Sequence, residues 1–157
     1  MRTSIYLAAL LPLLAATSPL IERAGGPTSE PIPATCTVIN PLPHAACGIS
    51  NVNGYKPDPA FAKANLLYEA YFTTGLSQAE DAKQCKQQCY GYGTTGECKS
   101  SFVGYQVPTP KGYQGTTGGS LETGCLLFKE YLTPLDFVAS AEGRYLNATA
   151  ASIYCPS

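Results

Sequence analysis

The sequence predicts an α+β domain stapled by disulfides behind a cleavable leader. Three observations predict it: an apolar N-terminal run too short to span a bilayer, seven cysteines downstream of it, and a capped helix followed by two β-prone runs that each carry a cysteine near the start.

Met1-Arg2-Thr3-Ser4 is a short basic start, and the chain then runs apolar from Ile5 to Leu14. A membrane-spanning helix needs roughly 20 apolar residues, so this run reads as a signal-peptide core, with Ala15, Ala16, Thr17 and Ser18 supplying the small residues that signal peptidase accepts. Residues 1–17 are assigned to the signal peptide. Residues 18–35 are rich in Gly, Pro, Ser and Thr and read as a disordered lead-in. Arg23 within it is either a processing site, making the segment up to 23 a propeptide, or a merely solvated cation. Residues 36–157 form one domain by the length prior. Setting aside Arg2, Glu22 and Arg23 leaves eight Lys plus Arg against ten Asp plus Glu. No basic surface is then available for phosphates or anionic lipid, so neither nucleic acid nor membrane insertion is expected.

The cysteines are Cys36, Cys47, Cys85, Cys89, Cys98, Cys125 and Cys155. On an oxidising secretory route they are expected as disulfides and not as metal ligands. Ser77-Gln78-Ala79-Glu80 is a capping box, good helix formers follow, and Gly91 and Gly93 supply the stop, so a helix is expected over 77–90. Cys85 and Cys89 are four residues apart and therefore share one helix face with Ala82, turned to the core. Cys98 to Val107 and Gly124 to Leu132 are β-prone and bounded by turn formers, with a glycine-rich loop from Pro108 to Thr123 between them. Further strand material is expected around Asn65 to Phe72 and near Ser152 to Cys155. The stretch from Asp136 to Ala151 stays ambiguous, with Phe137 and Val138 facing inward.

A helix bearing Cys-x-x-x-Cys, a strand opening on Cys98-x-Ser-x-Phe102, and Thr123-Gly124-Cys125-x-Leu127-Phe128 on the next strand resemble the PAN/apple domain, as found in small secreted fungal proteins. Cys47-Gly48 and Cys155 take the places of the outer cysteines. The resemblance spans roughly Cys47 to Cys155 and implies one helix packed on a curved antiparallel sheet. It also implies nested bridges, Cys85 with Cys125, Cys89 with Cys98 and Cys47 with Cys155. The two inner pairs agree with thiols on one helix face lying beside both strands of one hairpin. Such bridges add about 2 to 4 kcal/mol each. Cys36 is then unpaired and free to link two chains into a dimer, unless it replaces Cys47 as the partner of Cys155.

No catalytic constellation stands out. His44 is the chain's one histidine and sits between Pro43 and Ala45 with no nucleophile or orienting acid nearby. Glu80, Asp81, Glu122, Glu130 and Asp136 could supply a glycosidase-like pair only if two of them faced each other across a cleft. The Gly115 to Ser120 stretch lacks the Lys-Ser/Thr ending of a phosphate loop. No metal and no cofactor is expected.

Tyrosine is abundant and tryptophan absent. Tyr105 on a strand and Tyr113 in the glycine-rich loop are the candidate ligand contacts, because tyrosine offers a flat apolar face with a polar tip. Tyr68, Tyr71, Tyr131 and Tyr154 read equally well as packing. Asn147-Ala148-Thr149 is an N-glycosylation acceptor. Since apple-like domains bind proteins or carbohydrates, the resemblance implies a secreted, non-catalytic binding module with an extracellular protein or glycan partner, as in an effector or cell-wall-associated protein. The alternatives are a structural surface-assembly protein and, further off, a small hydrolase or inhibitor.

Overall fold

A computed structural model describes residues 26–43 and 54–156. In chain order the elements are β1 (Thr37–Ile39), β2 (Tyr55–Pro57), α1 (Pro59–Asn65), β3 (Leu66–Phe72), α2 (Gln78–Tyr90), β4 (Ser100–Pro108), β5 (Leu121–Phe128), β6 (Phe137–Ala139) and β7 (Leu146–Tyr154). Five strands form one antiparallel sheet in the order β1-β7-β4-β5-β3, and β2 pairs with β6 in a separate two-stranded ribbon.

The chain is thus α+β, as expected. α2 begins where the capping box placed it: Ser77 Oγ accepts from the Glu80 amide, and Glu80 Oε2 accepts from the Ser77 amide at 3.0 Å. Its buried stripe is Asp81, Cys85 and Cys89, spaced four apart. Cys85 bonds Cys125 on β5, and Cys89 bonds Cys98 just before β4. β5 is buried on both faces, so its apolar residues run without a break. Cys125 and Leu127 pack towards α2 with Val103 and Ile153. Leu126 and Phe128 pack the opposite way with Phe102, Leu132 and Phe137.

That second face is covered by α1 and the β2–β6 ribbon, through Phe61 and Tyr55. α1 is a second helix where the sequence analysis expected one. Its signals are local: Asp58 accepts from the Ala60 and Phe61 amides, and Pro59 occupies the first turn, where its missing amide costs nothing. The ambiguous 136–151 stretch supplies β6 and most of β7. Phe137 is buried as expected, whereas Val138 is only half-buried.

Two expectations about the N-terminal part are corrected. The described end of the lead-in is laid against α2: the Glu30 amide donates to the Gln87 carbonyl at 3.1 Å, and Ile32 packs on the helix-side core. Gly91 permits this approach, since a Cβ there would collide with the Thr28 carbonyl oxygen. Cys36 is not unpaired but bonds Cys155, so Cys47 is not the partner of Cys155. The reason is register. β1 pairs antiparallel with β7, Thr37 opposite Tyr154, which sets Cys36 and Cys155 opposite each other with Cα atoms 4.2 Å apart. The run Thr37-Val38-Ile39 carried the β-branched signal for this strand. The Cys36 thiol is thereby consumed and cannot link two chains. Cys47 lies outside the described residues.

A non-reduced digest analysed by mass spectrometry will therefore link Cys36 to Cys155. Replacing both with Ser removes a closure spanning 119 residues and lowers stability by about 2–5 kcal/mol. A Cys47–Cys155 peptide would contradict the β1–β7 register.

Candidate functional site

Tyr105 and Tyr113, the tyrosines expected to meet a ligand, are both tied internally and do not come together. Tyr105 belongs to the α2 side of the sheet, where its hydroxyl donates to Asp81 Oδ2 at 3.2 Å. Thr74 donates to the other oxygen at 2.9 Å, so the buried carboxylate joins the start of α2 to β4 and to the loop after β3. Burial first, and then the Asp81 charge and hydrogen bond, push the Tyr105 phenol up to about 12. Tyr113 sits with Tyr71 in an edge-to-face pair, centroids 4.9 Å apart, and its hydroxyl accepts from the Tyr71 amide at 3.0 Å. Tyr71 flanks the core of the other face. The glycine-rich loop is thus pinned to β3 by the residue expected to be its free anchor. Tyr71 donates in turn to Glu69 at 3.0 Å, and burial, followed by the Glu69 carboxylate, raises its phenol as well.

The carboxylates singled out in the sequence are each held by a structural partner. Glu80 caps α2, and its hydrogen bonds from Ser77 lower its carboxyl. Glu122 accepts from Thr73, Glu130 pairs with Lys99, and Asp136 accepts from the Thr133 amide and hydroxyl. His44 lies outside the described residues. Among the described residues no group of three or more His, Cys, Asp or Glu could hold a metal ion.

The most exposed organised aromatic feature lies elsewhere, at the end of the sheet where β4 begins and β7 finishes. Ser100 and Ser152 face each other across β4 and β7 and are both buried. Their hydroxyls donate to the carbonyls of Glu130 at 2.6 Å and Leu132 at 2.9 Å, fixing the chain that leaves β5. Leu132 is buried and anchors the same segment. Tyr131, held between those two carbonyls, stacks on Tyr154 with centroids 4.2 Å apart and planes 11° from parallel. The Lys99 ammonium lies 5.4 Å from the Tyr131 centroid and 3.3 Å from Glu130 Oε2.

Beside this stack opens a cleft of about 360 Å³, lined by Ile39, Pro41, Leu42, Leu132, Pro134 and Tyr154 among others. Its rim is apolar and exposed: Ile39 is 50% exposed, Tyr154 39%, and Leu135, one residue past Pro134, 91%. The Thr133–Asp136 capping interaction holds that rim in a single turn. Sequence analysis weighed Tyr131 and Tyr154 as packing residues. No local signal marks the site: Ala150 to Ile153 are all buried, and Tyr154, the last residue of β7, is exposed.

Asn147 is exposed at the start of β7, with a φ of 46° that asparagine tolerates better than most residues. No helix among the described residues is long and apolar enough to cross a membrane. Compared with family models, curated proteins and solved structures, the chain matches none.

Tyr113→Ala will lower stability by about 2–3 kcal/mol, from the lost ring pair and the unsatisfied Tyr71 amide, read as a drop in the denaturant midpoint. An unchanged midpoint would mean the loop is not pinned. The phenol of Tyr105 is favoured neutral in the folded chain. Its contribution is complete below the ordinary value of 10.0 and is lost as pH rises towards about 12. Tyr71 and Tyr145, raised mainly by burial, act in the same direction. Stability measured across that window will fall, and Tyr105→Phe will make the fall shallower. An identical slope in the variant would remove Tyr105 from the account.

Proposed function

We propose that this protein is a secreted, non-catalytic binding module that takes an extracellular protein or glycan at the Tyr131–Tyr154 end of the sheet. The carrying observation is the parallel tyrosine stack beside an open apolar cleft, held by buried serine hydroxyls. A flat ring face presented rigidly at a cleft fits a sugar ring or an apolar side chain and loses little conformational entropy on binding. Exposed Ile39 and Leu135 extend the apolar rim beyond the cleft.

The apple-like pattern of the helix and hairpin supports a binding role in place of chemistry, and three disulfides suit an oxidising extracellular setting. The short apolar leader and the exposed Asn147 sequon support passage through the secretory pathway with a glycan on Asn147. A disulfide-linked dimer through Cys36 loses its linker, because Cys36 is bonded within the chain.

A glycan array combined with pull-down of the secreted protein will identify the ligand. Tyr154→Ala will then weaken binding by about 1–3 kcal/mol, the range of an interface anchor, with little change in melting temperature. Full affinity in a Tyr131→Ala, Tyr154→Ala double variant would place the site elsewhere.

A further inference from the structure

A second surface lies on the sheet face that carries α2. The helix packs chiefly on β4 and reaches β5 and β7, leaving the β1 side of that face open. The result is a groove of about 350 Å³ with Val38, Ser101, Thr149 and Ala151 on the sheet side and Ala82 and Lys86 on the helix side. It adjoins a hollow of about 290 Å³ lined by Ile32, Pro33, Val38, Lys83, Lys86 and Gln87. Val38 and Lys86 line both, which sets the two side by side as a channel between α2 and β1. Each is near the lower end of ligand-site volumes, about 300–1,000 Å³.

The channel is positively charged although the chain is slightly acidic overall, at net charge −1. Lys83 and Lys86 stand three residues apart on one helix and line the same hollow, and among the described residues no carboxylate lines either part. The ion pair found among the described residues is Lys99–Glu130, so neither channel lysine meets a described carboxylate within 4.0 Å. Lys83 feels Glu80, but that carboxylate is already accepting from the Ser77 amide and hydroxyl.

We infer that this channel binds an extended acidic peptide segment of a partner protein, its carboxylates meeting Lys83 and Lys86 and its apolar side chains resting against Ile32, Pro33 and Val38. The lining decides between anionic ligands. Among the described residues no aromatic ring lines the channel, so a sugar finds no face there to stack on, whereas alternate side chains of an extended peptide find one apolar and one cationic wall. A small inorganic anion would leave the apolar wall unused. Of the residues lining it, Asn40 alone also lines the tyrosine cleft, and neither Lys83 nor Lys86 does, so the two sites are tested by different substitutions.

The test is fluorescence anisotropy of the expressed chain with a labelled peptide alternating Val and Glu, beside Val/Gln and Val/Lys counterparts and polygalacturonate as competitor. Val/Glu will bind best. Lys83→Gln with Lys86→Gln will weaken it about two- to thirty-fold, the sum of two partly exposed ion pairs, without moving the melting temperature. Tyr154→Ala will leave it unchanged. Lys83→Glu with Lys86→Glu will shift the preference to Val/Lys. Equal affinity for Val/Gln, full affinity in the Gln double variant, or tighter binding of polygalacturonate than of any peptide would each overturn the proposal.

Discussion

Everything in this domain is referred to the attachment of one helix face to one hairpin. Cys85 and Cys89, 2% and 1% exposed, lie one turn apart and bond to β5 and to the entry of β4. Two bridges from a single face fix both the height of α2 above the sheet and its rotation about its own axis. Asp81, one turn earlier on that stripe, is therefore buried whether or not a charge is welcome there. The structure answers with two hydroxyl donors, from Thr74 and Tyr105. The same rotation points Lys83 and Lys86 sideways into the open channel beside β1.

The opposite face is organised by packing in place of covalent bonds. Phe102, Leu126 and Phe128 are roofed by Phe61 of the short helix α1 and by Phe137 of β6, two elements far apart in sequence. Between the faces, at the end of the sheet, Ser100 and Ser152 turn inward and bond the carbonyls of the chain leaving β5. The buried polar pair is what converts an ordinary exit loop into a fixed support for Tyr131. Interior satisfaction and exterior presentation are here the same pair of hydrogen bonds.

How much was legible in the sequence follows the range of each signal. α2 was legible to the residue because its capping box, its helix formers and its glycine stop are all local, and the i, i+4 cysteines then oriented it. The hairpin was legible from β-branched and aromatic runs around a glycine-rich loop. α1 was missed although Asp58-Pro59 announces it, because the helix runs only from Pro59 to Asn65. The partner of Cys155 was settled by the register of β1 on β7, a pairing across most of the chain that spacing alone leaves open. Tyr113 was misjudged for a related reason. A tyrosine in a polar loop looks free until the loop folds back, and the Tyr71 amide that it meets is 42 residues away. Tyr131 and Tyr154 were undecided because a stack between an exit loop and a last strand leaves no periodic trace.

The central claim is that ligand is met at the tyrosine-stacked end of the sheet while the pinned glycine-rich loop stays uninvolved. It is tested most directly by amide chemical-shift mapping of the labelled protein titrated with the ligand that the array and pull-down identify. The account predicts shifts confined to residues 39–43, 129–135 and 152–155, with Tyr113 and its neighbours unmoved. Shifts centred on residues 109–120, with Tyr131 and Tyr154 silent, would contradict it.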